Sequence, residues 1–172
     1  MRRVIFFLMV LPISCNVLAL EIKSDAFKDK GYIPGKYSCD AQNFSPALSW
    51  SQVPEGTKSF ALICDDPDAP VGTWVHWVIF NIPKDTTGLK ENISQNELSS
   101  LGIISGINDF KQLGYDGPCP PSGKPHRYFF KLYALDTTLS LGEGATNKQV
   151  VEAMKGHILA EAETIGFYQR QQ

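Results

Sequence analysis

The amino-acid sequence predicts a mainly β protein with few short helices. Runs of β-branched and aromatic residues, such as 74–81 and 126–135, are typical of buried strands. Clusters of glycine, proline and aspartate separate these runs, as turns do between strands. With 172 residues, of which 43% are hydrophobic, the chain is long enough for one domain with a substantial core and too short for two of ordinary size.

The first nineteen residues have the pattern of a secretory signal peptide. Met1-Arg2-Arg3 is a basic start, Val4 to Ile13 is an apolar run too short to span a bilayer, and Val17-Leu18-Ala19 is a small-residue cleavage site. We expect cleavage after Ala19, a single domain over residues 20–172, and a periplasmic or secreted protein. A lipoprotein junction at Ser14-Cys15 is the alternative, which Pro12 disfavours.

The elements of the mature chain follow in order. The pattern predicts strands or extended segments at residues 20–27, 43–50, 59–64, 74–81, 126–135 and 160–168. Residues 84–111 are polar and weakly periodic, which indicates a long surface excursion with a short helix near 95–99. Thr146 and Gln149 have the spacing of a capping box, so a helix should run from there to about Lys155, although one continuous helix to Ile165 also fits the pattern.

The charge of the chain argues against a nucleic-acid partner. The formal net charge is −2, and loss of Arg2 and Arg3 with the leader would leave fourteen basic and eighteen acidic side chains. A phosphate backbone requires clustered lysine and arginine, which this sequence lacks. No transmembrane segment is expected in the mature chain.

Three cysteines remain after cleavage of the leader. Cys64 ends the apolar run 60–63 and is expected to be a buried hydrophobic residue. Cys39 and Cys119 lie in loops rich in glycine, proline and aspartate, and an exported chain can keep a disulfide. We therefore predict a bond between Cys39 and Cys119, worth about 4 kcal/mol in the chain-entropy model.

Two stretches place polar side chains beside apolar strands. Asp65, Asp66 and Asp68 lie on a proline-stiffened turn before the strand that carries His76. The proline-rich loop 113–125 likewise precedes a strand that begins with His126. Such an arrangement can place a few polar groups at the mouth of an apolar pocket.

Simpler explanations of these side chains exist. A lone histidine in an apolar strand is more often a core residue with a satisfied hydrogen bond, and the aspartates could be plain turn formers. Aromatic residues could form the pocket wall or belong to the core; the candidates are Trp74, Trp77, Tyr115 and Tyr128. His157, beside a predicted helix end, is assigned to surface or packing.

The sequence offers little for catalysis. The histidines lack the short helical spacing of zinc motifs, and neither a Gly-x-Ser-x-Gly elbow nor a phosphate-binding P-loop occurs. Cys119 beside His126 could be a nucleophile, but its predicted disulfide argues against a thiolate. We therefore expect no catalytic residue, no metal and no cofactor, and a protein that is not an enzyme.

Several separated motifs resemble one family. Asp66-Pro67-Asp68-Ala69-Pro70, Trp74-Val75-His76-Trp77, Gly117-Pro118-Cys119-Pro120-Pro121 and His126-Arg127-Tyr128 resemble the phosphatidylethanolamine-binding proteins, also called Raf kinase inhibitor-like proteins. Residues 53–60 and 156–162 are similar to its bacterial, YbhB/YbcL-type branch in particular. The resemblance covers nearly all of the mature chain.

The resemblance implies a fold of two antiparallel sheets with a small anion pocket. By motif, Asp66, Asp68, His76 and His126 would line that pocket, the Gly117 to Pro121 loop, including Pro118 and Pro120, would form its rim, and Tyr128 would be a neighbour. In the family such a pocket accepts phosphate-like groups, including phospholipid headgroups, and members are not generally catalytic. The expected partner is thus a small anionic ligand or headgroup.

Two other classes of function stay open. Some family members inhibit kinases or proteases, so this chain could act through surface contacts with a protein partner. A hydrolytic or metal-dependent enzyme is the third class. Val75, which stands where the eukaryotic pattern has a second histidine, the extended 117–121 loop and the leader all argue against cytosolic kinase regulation.

Overall fold

The computed structural model describes residues 19–170 and contains nine strands, two α-helices and one 3-10 turn. The predicted leader, apart from Ala19, lies outside the described residues, as does Cys15 of the lipoprotein alternative. The strands are β1 Glu21–Ser24, β2 Gly31–Tyr32, β3 Leu48–Ser51, β4 Ser59–Asp66, β5 Trp74–Pro83, β6 Gly88–Leu89, β7 Ile104–Ser105, β8 His126–Leu135 and β9 Ile158–Tyr168; the helices are α1 Gln95–Ser100 and α2 Asn147–Met154, and the 3-10 turn is Gly35–Tyr37. The mainly β prediction is confirmed.

The strands form two sheets. A three-stranded sheet has the order β1-β3-β6, and a six-stranded sheet has the order β2-β9-β8-β4-β5-β7. All strand pairs are antiparallel except β2 and β9, which run parallel over Gly31 and Tyr32. The expectation of antiparallel sheets therefore holds apart from this one short pair, which the turn-rich sequence around Gly31 did not reveal.

The main core lies between the two sheets. Ile22, Leu48 and Trp50 of the small sheet pack with Phe60 and Leu62 of β4 and with their neighbours in the large sheet. A second cluster covers part of the other face of the large sheet, where Val150 and Met154 of α2 contact the side chains of β4 and β5. Because β4 has both faces covered, all eight of its residues are buried.

Strand β4 extends further than its sequence pattern predicted. The sequence pattern places Asp65 and Asp66 in the turn, but they pair with Val75 and Trp74 of β5, and only the following residues form the turn. A strand buried on both faces shows no alternation of polar and apolar residues, so its end could not be located from the sequence. The strand therefore carries Asp66 to the edge of the core.

Both helices begin with a capping box. Thr146 accepts the N–H of Gln149, and the Gln149 side chain accepts the N–H of Thr146, as the sequence predicted. Ser94 and Glu97 form the same motif at α1. Gly156 follows α2 with a positive φ of 79°, so the chain turns into β9 and the alternative of a continuous helix to Ile165 is wrong.

The predicted disulfide is present. Cys39 and Cys119 are bonded, 80 residues apart in the chain, and Cys64 is a buried free thiol. Burial raises the pKa of the Cys64 thiol well above its ordinary value, so this sulfur stays protonated and unreactive. The disulfide ties the loop before β8 to the loop after the 3-10 turn.

Candidate functional site

Side chains from β4, β5 and β8 meet at one end of the large sheet. β4 ends at Asp66, β5 begins at Trp74 and β8 begins at His126, so the antiparallel order places these three ends together. A cavity of about 210 Å³ opens there. Its walls comprise Asp66, Ala69, Pro70, Val71, Trp74, His76, Phe110, Cys119, Pro120, Pro121, His126 and Tyr128.

His126 is oriented by a carboxylate. Its Nδ1 lies 2.8 Å from Oδ2 of Asp66, and the two side chains are 11% and 4% exposed. An ionised carboxylate can only accept, so Nδ1 carries the proton that is shared with Asp66. Among residues 19–170 the other ring nitrogen, Nε2, has no hydrogen-bond partner.

His76 is oriented by the main chain. Its Nδ1 donates to the carbonyl oxygen of Asp116 at 2.6 Å, and the N–H of Asp116 donates back to the His76 carbonyl at 3.0 Å. Burial lowers the pKa of His76, although the bond to the Asp116 carbonyl opposes this shift. The resting imidazole is therefore neutral at pH 7, and its Nε2 is an acceptor.

Tyr128 supplies a buried hydroxyl between the histidines. The side chain is completely buried, its ring meets the His76 ring edge-on at 5.1 Å, and its hydroxyl makes no hydrogen bond of acceptable geometry within residues 19–170, although the Asp66 carboxylate and the Cys119 main chain lie nearby. Burial, followed by the negative charge of Asp66, raises the pKa of this phenol, so it keeps its proton. An unpaired buried hydroxyl costs free energy unless a ligand or water supplies the missing bond.

Phe110 was not predicted from the sequence. It lies in the loop after β7, and its ring meets the rings of Trp74 and His76 edge-on at 5.4 Å and 5.3 Å. Asp109 fixes this loop, because its carboxylate accepts the N–H of Val75 at 2.7 Å. No local pattern marks Phe110, since its place in the wall depends on how the long loop folds back onto β5.

Asp68 lies in the turn after β4 and is not among the residues that line the cavity. Its carboxylate binds the side chain of Arg127 at 2.7 Å and 2.9 Å and also accepts the Arg127 main-chain N–H. These bonds lower the pKa of Asp68 to about 2. Asp68 therefore fixes the start of β8 and neutralises Arg127, and its role in ligand binding stays a prediction.

The proline-rich loop is divided between wall and support. Pro120 lines the cavity, whereas Gly117 and Pro118 do not. The N–H of Gly117 donates to Asn43 at 2.7 Å, and a Cβ at this position would collide with the carbonyl oxygen of Tyr37. Pro118 accepts the N–H of Cys39 at 3.1 Å. Gly117 and Pro118 hold the rim in place because they pack against the segment that carries Cys39.

The remaining aromatic candidates belong to the core. Trp77 and Tyr115 pack edge-on against each other at 5.5 Å, and neither contributes to the cavity wall. His157 lies at the other end of the sheet, where its Nδ1 is 2.8 Å from Asp136 and both side chains are about half exposed. The structure thus separates Trp74 and Tyr128, which face the cavity, from the other aromatic residues.

Neither a metal-binding cluster nor a membrane-spanning helix is found in the described part of the chain. Within residues 19–170 no group of three or more histidine, cysteine, aspartate or glutamate side chains is arranged to hold a metal ion. Over the same range, no helix is long and apolar enough to cross a membrane. The one sulfur in the cavity wall, that of Cys119, is bonded to Cys39.

Comparison with known proteins gives consistent matches. The family model "Phosphatidylethanolamine-binding protein" matches residues 23–169. A UPF0098 protein of Methanothermobacter thermautotrophicus is 58% identical over 88% of this chain and 99% of its own, and one of Aquifex aeolicus is 51% identical over 88% and 89%.

Solved structures agree with these sequence matches. A putative phosphatidylethanolamine-binding protein homologue of Chlamydia trachomatis is 41% identical with a TM-score of 0.82, over 89% of this chain and 99% of that one. Escherichia coli YbcL, described as a member of the mammalian family, is 35% identical with a TM-score of 0.83, over 90% and 100%. The chain belongs to the phosphatidylethanolamine-binding protein family.

Proposed function

We propose that this chain is an exported binding protein whose cavity holds a small anionic group, such as a phosphate ester or a headgroup of similar chemistry. The observation that carries the proposal is the completely buried, unpartnered hydroxyl of Tyr128 in the wall shared by His76 and His126. Each histidine uses Nδ1 in a bond behind the wall, which leaves its Nε2 for a ligand.

The three polar groups suit a phosphate that brings or acquires a proton. Tyr128 is a donor, and the Nε2 of His126 is a donor whenever that ring is protonated. Neutral His76 has a lone pair at Nε2, which can accept a hydrogen bond from a P–OH group. When a fully ionised phosphate enters, the His76 ring takes up a proton instead. Asp66 opposes an anion through its charge but fixes the orientation of His126, so the ligand is bound through directed hydrogen bonds rather than through net charge.

The rest of the wall strengthens those hydrogen bonds. Trp74, Val71 and Phe110 are apolar neighbours of the polar groups, and a surrounding of low polarity makes each hydrogen bond electrostatically stronger. Among the described residues 19–170 no lysine or arginine lines the cavity, and the nearby Arg127 is bound to Asp68. The cavity therefore favours one small phosphate group over extended polyanions.

Export is supported by the leader and by the disulfide. Residues 1–19 have the sequence pattern of a signal peptide. The disulfide between Cys39 and Cys119 is a bond that persists in oxidising compartments. We assign no reaction to the cavity, and the Cys119 sulfur in its wall is bonded to Cys39.

The test uses asparagine substitutions that keep the bonds behind the wall. In His76→Asn and His126→Asn the amide nitrogen takes the place of Nδ1, so Nε2 is removed while the contacts to Asp116 and Asp66 can persist. His157→Asn is the matched control. Isothermal titration with inorganic phosphate and with O-phosphoethanolamine should show saturable binding to the wild type and to His157→Asn.

The affinity of the double variant His76→Asn with His126→Asn for phosphate should fall by about 100-fold or more, since two hydrogen bonds to the ligand disappear. Thermal unfolding and near-ultraviolet circular dichroism must show that the variant is folded. Wild-type affinity in the folded double variant would refute the pocket as the binding site. Function through surface contacts, tested by changes in loop 84–111, would then take its place.

A further inference from the structure

Strand β9 has an open edge along part of its length. The N–H of Ile165 donates to Asp29 at 2.9 Å, and the carbonyl oxygens of Ile165 and Phe167 each accept a loop N–H at 2.7 Å. The main-chain groups of these odd-numbered residues therefore point away from β8. By the alternation of an antiparallel strand, the main-chain N–H and C=O groups of Glu161 and Glu163 also point away from β8. Within residues 19–170 these groups have no main-chain partner.

A groove accompanies this edge. A cavity of about 790 Å³ lies between β9 and the small sheet, and Ala162, Glu163 and Ile22 are among its walls. Ile22 lies on the outer strand of the small sheet, whose only partner among the described strands is β3. The two sheets thus leave a channel in which an extended chain can lie beside β9.

The edge is acidic and its charges are unpaired. Within the described residues no lysine or arginine forms an ion pair with Glu161 or Glu163. Lys131 is the cross-strand neighbour of Glu163, but its ammonium group binds Asp65 at 2.6 Å. Burial, followed by the charges of Glu161, Asp65 and Glu163, raises the pKa of Tyr133 to about 12.

We propose that β9 binds an extended basic peptide segment, which adds a strand to the large sheet along Glu161–Glu163. Main-chain hydrogen bonds to β9 supply the affinity, and side chains set the preference. Residues opposite Glu161 and Glu163 are lysine or arginine, and the residues between them are small and apolar because they face the groove beside Ala162. This surface is separate from the histidine pocket.

A second copy of this chain is a poor occupant. Antiparallel pairing of β9 with itself about Glu161 places two Glu161 carboxylates opposite each other, and pairing about Ala162 places Glu161 opposite Glu163. Like charges that face each other across strands are destabilising. The same charges attract a basic segment, so charge complementarity selects the partner.

Hydrogen exchange of the intact protein, followed by NMR, tests the proposal. The probe is an acetylated, amidated Lys-Val-Lys-Val-Lys peptide at millimolar concentration. Without peptide, the Glu161 and Glu163 amides should exchange rapidly while the Ala162 amide, which faces β8, is protected. With peptide, exchange at Glu161 and Glu163 should slow by about tenfold or more.

Matched controls separate the proposal from its alternatives. A peptide with every main-chain nitrogen methylated and the acidic counterpart Glu-Val-Glu-Val-Glu should give no protection, and Glu161→Gln with Glu163→Gln should weaken the effect by about tenfold while phosphate binding is unchanged. If the basic peptide did not slow amide exchange at Glu161 and Glu163, the charges would serve only to prevent other strands from pairing with this edge. Protection that grows with protein concentration alone would assign the edge to a second copy, and either result overturns the proposal.

Discussion

Two histidine–aspartate pairs lie at opposite ends of the large sheet, and they differ only in their surroundings. His126 and Asp66 at one end, and His157 and Asp136 at the other, each have an Nδ1–Oδ distance of 2.8 Å. The first pair is almost completely buried beside a cavity, whereas both members of the second pair are about half exposed. A short contact between imidazole and carboxylate therefore does not mark a site by itself.

The enclosure of the first pair gives it a different role. Water is largely excluded, so the bond is strong and its geometry is fixed, and the free Nε2 shares a small space with His76 and Tyr128. The exposed pair is screened by solvent and has no second polar group in a common cavity.

Loss of the carboxylate should have very different effects at the two ends. Asp66→Ala leaves the buried His126 without its partner and should lower the free energy of unfolding by about 3 kcal/mol. Asp136→Ala removes an exposed partner and should change it by about 0.5 kcal/mol or less. Urea unfolding of both variants measures this difference, and equal losses would contradict the contrast.

Much of this comparison was accessible from the sequence. The apolar runs predicted β5 and β8, and the proline-rich loops before them predicted that His76 and His126 would lie near strand ends. Pairing of β4 with both strands then brings the ends together, which a pattern along one strand cannot show. The exposure of His157 followed from its position beside a helix end.

Other parts of the site depended on tertiary structure. Phe110 reaches the cavity because its loop folds back onto β5, and nothing in its neighbours along the chain indicates this. Asp68 is not among the cavity-lining residues, and Arg127, 59 residues further along the chain, gives it two side-chain hydrogen bonds and a main-chain one, which no local pattern reveals. Gly117 and Pro118 support the rim, since the disulfide brings the Cys39 segment against them.

Acidification should strengthen anion binding at the enclosed end. The pKa of unliganded His76 is lowered by burial, and a bound anion favours the protonated ring, so binding is coupled to proton uptake. Affinity for phosphate should rise by about tenfold as the pH falls from 8 to 6, which corresponds to uptake of about half a proton on average over this range. Titrations in buffers of different ionisation enthalpy measure this uptake, and affinity independent of pH would contradict it.

Removal of one hydroxyl should weaken binding moderately. Tyr128→Phe deletes the buried donor that lacks a partner in the described structure, and affinity for phosphate should fall by about five- to twenty-fold, or roughly 1–2 kcal/mol. The free energy of unfolding should not fall, because the wild type leaves this buried group unpaired. Tyr32→Phe, at an exposed site, is the control and should alter neither quantity.

The smallest expected effect concerns stability at low pH. The folded-state pKa of His76 is lowered, so the unfolded chain binds more protons once the pH falls below about 6.5, and stability is lost there. His76→Asn should remove about 1 kcal/mol or less of this loss between pH 7 and pH 5, whereas His157→Asn should leave the slope as it is. Urea unfolding across this range measures both slopes, and the same slope in all three proteins would be evidence against a buried neutral His76.

NMR of the histidine ring nitrogens tests the central claim most directly, because it observes His76, His126 and His157 in one sample while inorganic phosphate is added. The account predicts that the Nε2 resonances of His76 and His126 shift together along one saturable curve and that those of His157 stay in place. If the Nε2 resonances of His76 and His126 stayed unchanged up to the solubility limit of phosphate, or shifted no more than those of His157, the account would be contradicted.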